Sequence, residues 1–488
     1  MQFVWISHQK VTKLKISSLT VKGGFGYVDF SLKFFRGLSF LVGINGSGKT
    51  TAIRLIEALL TPSLEQLDKI PHKSAVLRLE IEGKIVKIES SVYEGRTEIR
   101  IPHLGPEASL SYDWPEVAAA MTRDVIGKES ITSVYAALAT QNLNNPVLMF
   151  LRRTVDTPLF LGLERRNVAM HYWQALSNGE HLADRITARR RDMIEESVRR
   201  RMPAITGMLG SSLIDVQIII QEIFRKRRVE QEKFAAQLRE QILLDAFQYQ
   251  PSDSFMRSVR QDAKFIKTII EKRDHVEAAL RGAGLADAKF KPLVDKFFVH
   301  LSAIGNRDTS TGTGAERNSQ NSDGLLELAL NKPVVDRVLK LIDASEKYNR
   351  DIEKLWGPIT QFTALVNRFF KDSGKTLAID EIGWLHVTVG DSTPRTLDVL
   401  SSGERQLVVI FGHLAINREI NRAGIFVVDE PEISLHLKWQ EIFVDSILEA
   451  SPGNQFLLAT HSPAIVVDRD DKCVYLDKGQ KLPGNADA

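Results

Sequence analysis

The chain has 488 residues, long enough for a large core plus a second domain, and its 43% hydrophobic and 26% charged residues are ordinary for a soluble globular protein. A net charge of +3 is too weak to announce a nucleic-acid binder, and no run approaches the roughly 18–20 apolar residues that span a membrane. The first ten residues lack the basic head and sustained apolar stretch of a secretory signal, and the only cysteine, Cys473, forms no intramolecular disulfide, so a cytoplasmic setting is expected.

In chain order, residues 14–21 and 28–34 alternate as strands, with Gly23-Gly24-Phe25-Gly26 as the turn. The apolar run 38–42 leads into a glycine-rich loop, and residues 50–60 then carry Ile53, Ile56, Leu59 and Leu60 at helical spacing until Pro62 stops them. Residues 75–81, 84–90 and 97–101 read as a β-meander with Glu82-Gly83 and Glu94-Gly95 at its turns. Beyond Pro115 the pattern turns helical: 125–143 is read as a helix and 157–163 as a buried strand returning to the core. Residues 180–305 are nearly all helix, with helical hairpins or short coiled coils expected and no extended rod, since sustained heptads are absent. Residues 307–324 are polar and read as a flexible loop. Helix resumes over 325–371, strands follow at 376–379 and 384–389, and the rest alternates helix with apolar strand. The expected division is an N-terminal lobe (1–175), a helical insertion (176–372) and a C-terminal lobe (373–488).

Charge is uneven. Residues 180–233 hold 12 Arg/Lys against 9 Asp/Glu, concentrated in Arg189-Arg190-Arg191, Arg199-Arg200-Arg201 and Arg225-Lys226-Arg227-Arg228. These clusters read either as a solvated helix face paired with Glu195, Glu196, Glu230 and Glu232, or as a surface for phosphates or an acidic partner.

Gly43-Ile44-Asn45-Gly46-Ser47-Gly48-Lys49-Thr50, with Thr51 beside it, is a complete P-loop between a strand and a helix. Its glycines let backbone N–H groups approach phosphate oxygens, Lys49 reaches the β- and γ-phosphates of ATP, and Thr50 is placed to ligate Mg²⁺. A second cluster begins 350 residues after Thr50. Ile425-Phe426-Val427-Val428-Asp429-Glu430 is an apolar strand ending in two acids; Asp429 suits Mg²⁺, and Glu430 suits polarisation of an attacking water. Leu400-Ser401-Ser402-Gly403-Glu404 precedes a helix and reads either as an anion site or as an ordinary Ser N-cap with a capping-box acid. His461, in Thr460-His461-Ser462-Pro463, follows an apolar strand and either reaches a γ-phosphate or is structural.

Together and in this order, the four segments resemble the Walker A, signature, Walker B and switch-histidine motifs of ABC-type ATPases. Glu404 is similar to the SMC/Rad50 branch, while Ser402 departs from the more usual glycine. Asp429-Glu430-Pro431-Glu432-Ile433-Ser434-Leu435-His436 resembles OLD-like and RecF-like ATPases and the ATPase subunits of phage-defence systems such as Septu, certain retrons and PARIS. The resemblance covers about residues 13–60 and 398–476. It implies an α/β ABC-type P-loop head split by a long α-helical insertion, hydrolysing ATP with Mg²⁺. It also implies head-to-head pairing, in which Ser401, Ser402, Gly403 and Glu404 complete the ATP site of a second copy. The Q-loop glutamine is not obvious: Gln141 is a weak candidate, Glu164-Arg165-Arg166 an alternative, and Phe25 and Tyr27 are candidates for adenine stacking. OLD proteins proper continue into a Toprim nuclease; about 25 residues follow Pro463 here, so a nuclease or toxin activity is expected in a separately encoded effector. The expected role is an antiphage ATPase that senses a phage component and controls that effector. The alternative is a DNA-repair or chromosome-maintenance ATPase of the RecF/Rad50 kind, with DNA as its ligand. Neither reading involves a membrane.

Overall fold

The computed structural model describes residues 14–93, 96–113, 144–154, 159–161, 207–247, 346–390, 393–417 and 424–476, with scattered helical residues between 193 and 343. They fall into two compact units, residues 1–221 with 359–488, and residues 222–358. Residues 125–143, 164–166, 189–191 and 307–324, including the Q-loop candidates, lie outside the described residues.

In the first unit, β1 (Leu14–Gly24) and β2 (Val28–Lys33) form a hairpin. β1 runs through Gly23-Gly24, so the turn sits one step later than expected, closed by Gly26 N–H to Gly23 O and Tyr27 N–H to Gly24 O. β4 (Ser74–Ile81), β5 (Lys84–Tyr93) and β6 (Arg96–Arg100) are the meander, and β7 (Ser109–Asp113) adds a strand the sequence did not reveal. The six strands form one antiparallel sheet in the order β2-β1-β4-β5-β6-β7. β4 shows why: Ala75, Leu77, Leu79 and Ile81 alternate inward at the two-residue period of a half-buried strand.

The second sheet is parallel. β3 (Leu38–Val42), β8 (Leu159–Leu161), β11 (Ile425–Asp429), β12 (Gln455–Ala459) and β13 (Cys473–Tyr475) lie in the order β13-β3-β12-β11-β8. β11 and β12 are buried at every position, the burial expected of central parallel strands covered on both faces. The expected returning strand is β8, paired with β11 through Phe426 and Leu159.

Helix α1 (Lys49–Leu60) contributes Ile53, Leu55, Ile56 and Leu59 to a core that also takes in β1, β4 and β5 of the antiparallel sheet and β11 and β12 of the parallel one. A polar clamp crosses the same region. Gln455 is fully buried; its Oε1 accepts Ile16 N–H at 2.7 Å, and its Nε2 donates to Ile16 O and Phe35 O at 2.8 Å each. It thereby satisfies backbone groups that no strand partner reaches. Short helices α2 (Leu64–Asp68) and α3 (Pro146–Thr154) complete the N-terminal part.

Helix α4 (Gly207–Phe247) is 41 residues long, about 60 Å at 1.5 Å per residue, a longer single helix than the broken heptads suggest. Its opening turns belong to the first unit. There Gln217 clamps the hairpin of β9 (Lys375–Ile379) and β10 (Leu385–Val389), donating to Gly383 O at 2.7 Å and accepting Leu385 N–H at 2.9 Å. In the second unit α4 runs antiparallel to α5 (residues 346–370): Phe224 meets Trp356 and Phe234 stacks on Tyr348, so numbers rise on one helix as they fall on the other. Most of the described basic residues here have partners. Arg225 pairs with Glu222, Arg228 with Glu232, Lys233 with Glu230 and Arg200 with Glu196, while Arg227 lies 4.3 Å over Trp356. These are exposed pairs at helical spacing, the solvated-face arrangement.

Among the described residues, no helix is long and apolar enough to cross a membrane. Three further helices among the described residues are α6 (Ser402–Ile416), α7 (Leu437–Ala450) and α8 (Pro463–Val466).

Candidate nucleotide-binding site

β3, β11 and β12 run parallel in the first unit, so their carboxyl ends share one edge of the sheet. From β3 the chain enters residues 43–48 and then α1, with Gly46 at φ 78° and Gly48 at φ 107°, left-handed conformations that glycine adopts without steric penalty. No side chain caps the start of α1, so its first N–H groups are available to an anion. Lys49 is 5% exposed and donates to Gly43 O at 2.8 Å and Ile44 O at 3.3 Å. Ile44, Asn45 and Gly46 form the exposed tip, while Ser47 is buried beneath them and Thr51 half-buried in the first turn.

The acidic segment meets this loop. Asp429 ends β11, is 5% exposed and bonds the Thr50 side chain, which joins two residues 379 positions apart in sequence. Burial pushes its carboxyl up from the ordinary range, with the Thr50 hydroxyl opposing and the neighbouring Glu430 charge adding to the rise. Glu430 turns the chain out of the strand at φ 52°, unusual for a non-glycine residue, while its N–H still bonds Ala459 O at 2.8 Å. His461 follows β12, and its Nε2 lies 3.8 Å from Glu430 Oε1. Burial lowers the Lys49 ammonium below the usual lysine range against the attraction of Glu430, Asp429 and Glu432. The structure therefore brings Lys49, Thr50, Asp429, Glu430 and His461 to one edge.

This set fits ATP with Mg²⁺. Asp429 Oδ1 and Ser47 Oγ are buried polar atoms without a hydrogen-bond partner, beside the hydroxyl of Thr50. Thr50 and Asp429 supply hard oxygen donors. Such donors suit Mg²⁺, an ion commonly held by one or two side chains plus phosphates and waters.

The signature segment behaves differently. Ser401 caps α6, accepting Glu404 N–H at 3.3 Å, and Glu404 Oε2 accepts Ser401 N–H at 2.7 Å, a capping box. Ser401 and Ser402 are exposed. Glu404, expected in the ATP-binding set, faces inward. Its carboxylate is 3% exposed and receives Lys375 Nζ at 2.8 Å. Burial opposes its charge, yet the Lys375 bond and the Ser401 N–H hold it below the usual carboxylate range. An inward-facing acceptor occupied in this way organises the segment and does not present itself to a phosphate. Gly403 is buried against the carbonyl of Ser434, in the stretch that follows the two acids. Phe25 and Tyr27 stand 46% and 72% exposed in the β1–β2 turn.

Three residues of the site region escaped sequence reasoning. Glu432 accepts the His461 N–H at 2.6 Å, Gln440 accepts the Ser462 hydroxyl at 2.6 Å, and Lys375 pairs with Glu404. Glu432 had a signal, its place in the acidic segment; Lys375 and Gln440 had none.

Comparison with known proteins agrees with this geometry. Residues 285–468 match the family described as AAA domain, putative AbiEii toxin, Type IV TA system. The chain is similar to the Retron Vc95 probable ATPase of Vibrio cholerae serotype O1 biovar El Tor, 33% identical over 76 residues, covering 14% of this chain and 15% of that one. It is also similar to the Retron Ec83 probable ATPase of Escherichia coli, 24% identical over 228 residues, covering 41% and 40%. The matches thus span well under half of these relatives. Among solved structures, an Smc head domain with an extended coiled coil from Pyrococcus furiosus aligns over 93% of this chain and 91% of its own, at 13% identity and a TM-score of 0.34. The chain thus has an α/β P-loop fold interrupted by a helical insertion, and it is similar to the probable ATPases of two retrons.

Proposed function

We propose that this chain binds ATP with Mg²⁺ and hydrolyses it, and that it serves as the cytoplasmic ATPase subunit of a bacterial antiphage system, controlling a separately encoded nuclease or toxin. The observation that carries the chemistry is the meeting of Glu430 and His461, 3.8 Å apart, with Lys49 and the Thr50–Asp429 pair at one sheet edge. Lys49 and the amides at the start of α1 hold the phosphate chain. Glu430 accepts a proton from the water whose oxygen bonds the γ-phosphorus as the bond to the β–γ bridging oxygen breaks, leaving ADP and phosphate. His461 sits where it can donate to a γ-phosphate oxygen. Thr50 and Asp429 would hold Mg²⁺, which would supply charge neutralisation at the phosphates.

Three matches support the biological half of the reading: the probable ATPases of two retrons, and a family description that names a putative toxin and a toxin–antitoxin system. Exposed Ser401 and Ser402 lie outside the chain's own cluster, which suits a partner role toward the nucleotide of a second copy, and a phage protein is the proposed trigger. Affinity capture of the tagged chain from infected and uninfected cells tests the assignment. A nuclease or toxin released or activated on infection is the expected result; recovery of no effector in either state would refute effector control. Retention on DNA at low salt with a steep salt dependence would favour chromosome maintenance instead.

A further inference from the structure

Glu432 is the one carboxylate of the acidic segment that the reaction above leaves without a task. Its Oε1 accepts the backbone N–H of His461 at 2.6 Å, while Oε2 is shut off from solvent and makes no hydrogen bond. The segment it holds has little other support. β12 ends at Ala459, and Thr460 N–H still reaches Leu41 O at 3.2 Å, but beyond it the strand ladder stops. The next two residues depend on side chains: Glu432 takes His461 N–H, Thr460 Oγ1 takes Ser462 N–H at 3.0 Å, and Gln440 takes the Ser462 hydroxyl. Gln440 is itself anchored by its Nε2 on Leu435 O at 2.9 Å. Glu432 and Gln440 thus fix the loop from the stretch that follows Glu430.

We propose that Glu432 is a positioning residue: by holding the His461 backbone it keeps the imidazole beside Glu430, so that the base and the switch histidine move as one body. A bond to a charged acceptor is stronger than a neutral one, and Glu432 is half-buried, with its second carboxylate oxygen shut off from solvent. The inference rests on the ATPase reading of the site, but the bond it invokes belongs to the chain alone.

Two measurements on the full chain separate the possibilities: amide hydrogen exchange over residues 460–462 without nucleotide, and steady-state ATP hydrolysis. Glu432→Ala removes the acceptor, Glu432→Asp keeps the charge but withdraws it by one methylene, and Glu432→Gln keeps an acceptor oxygen at full length. Alanine and aspartate are expected to speed exchange at 460–462 about tenfold, the size of one lost hydrogen bond, with protection in β3 unchanged. They are expected to lower kcat about tenfold with KM for ATP within about twofold, and glutamine to restore both readouts most of the way. Unchanged exchange in Glu432→Ala and Glu432→Asp, or a Glu432→Gln variant as fast as alanine, would overturn the proposal. A wild-type chain that hydrolyses no ATP, with the exchange pattern as expected, would refute the ATPase reading and leave the positioning bond standing.

Discussion

Gly403 and Ser434 pack backbone against backbone: a Cβ at residue 403 would fall far inside contact distance of the Ser434 carbonyl oxygen. Ser434 itself sits at φ 76°, and Gln406 Nε2 adds a 3.4 Å bond to Pro431 O, so the start of α6 and the segment after Asp429-Glu430 are fitted to each other within one chain. The signature glycine therefore has a local reason to be glycine, whatever it does toward a second copy. Gly403→Ala is expected to lower unfolding stability by about 1–3 kcal/mol through overpacking. Chemical denaturation checks this. A variant of full stability that fails to pair in ATP would assign the glycine to the subunit interface alone.

Glu430→Gln should keep ATP bound while hydrolysis falls about 10²–10⁴-fold, because the amide cannot take the water's proton. Lys49→Ala should lose nucleotide binding outright, since it removes the ammonium, set among three carboxylates, that is proposed to hold the phosphates. Fluorescent-nucleotide binding and phosphate release distinguish the two. Normal turnover in Glu430→Gln would remove Glu430 from the role of base.

A second close contact ties the opening turns of α4 to α6. A Cβ on Gly412 would lie 2.7 Å from both Val216 methyl carbons. Gly412→Ala should cost about 1–3 kcal/mol of stability. Adding Val216→Ala should recover at least half of that, giving a coupling of about 1 kcal/mol in a double-mutant cycle. Additive losses would show that the two helices relax independently.

Glu57, on the inner face of α1, has its carboxyl pushed up to about 7 by burial, with the Gln66 bond and Arg54 opposing. An acid whose folded pKa lies above its unfolded value, about 4.3, keeps its proton longer in the folded state. Its contribution is fully present below that lower value and is lost as pH rises toward 7, by up to about 3 kcal/mol. Glu57→Gln mimics the protonated form. The wild-type chain should lose stability relative to this variant between about pH 4.5 and 7, with no further divergence above. Urea titrations at several pH values measure it, and parallel curves would place the Glu57 charge in a better-solvated setting.

The sequence by itself determined the strand–loop–helix around Lys49, the two apolar strands of the second cluster, and the order of the motifs. Each is a local requirement: glycines where φ must be positive, a continuous apolar run where a strand is covered on both faces, an acid at a strand's end. Glu404 shows where local reading stops. Its spacing from Ser401 suits both a capping box and an anion site, and Lys375, 29 positions away, resolves the choice by occupying the carboxylate in a buried setting. The same holds for Thr50 with Asp429, Glu432 with His461, Gln217 with Gly383 and Gln455 with Ile16. Each joins segments remote in sequence through one side chain, so it leaves no periodicity or composition to read. Only the folded chain decides them, because a buried polar group must find a partner wherever the packed backbone brings one within reach.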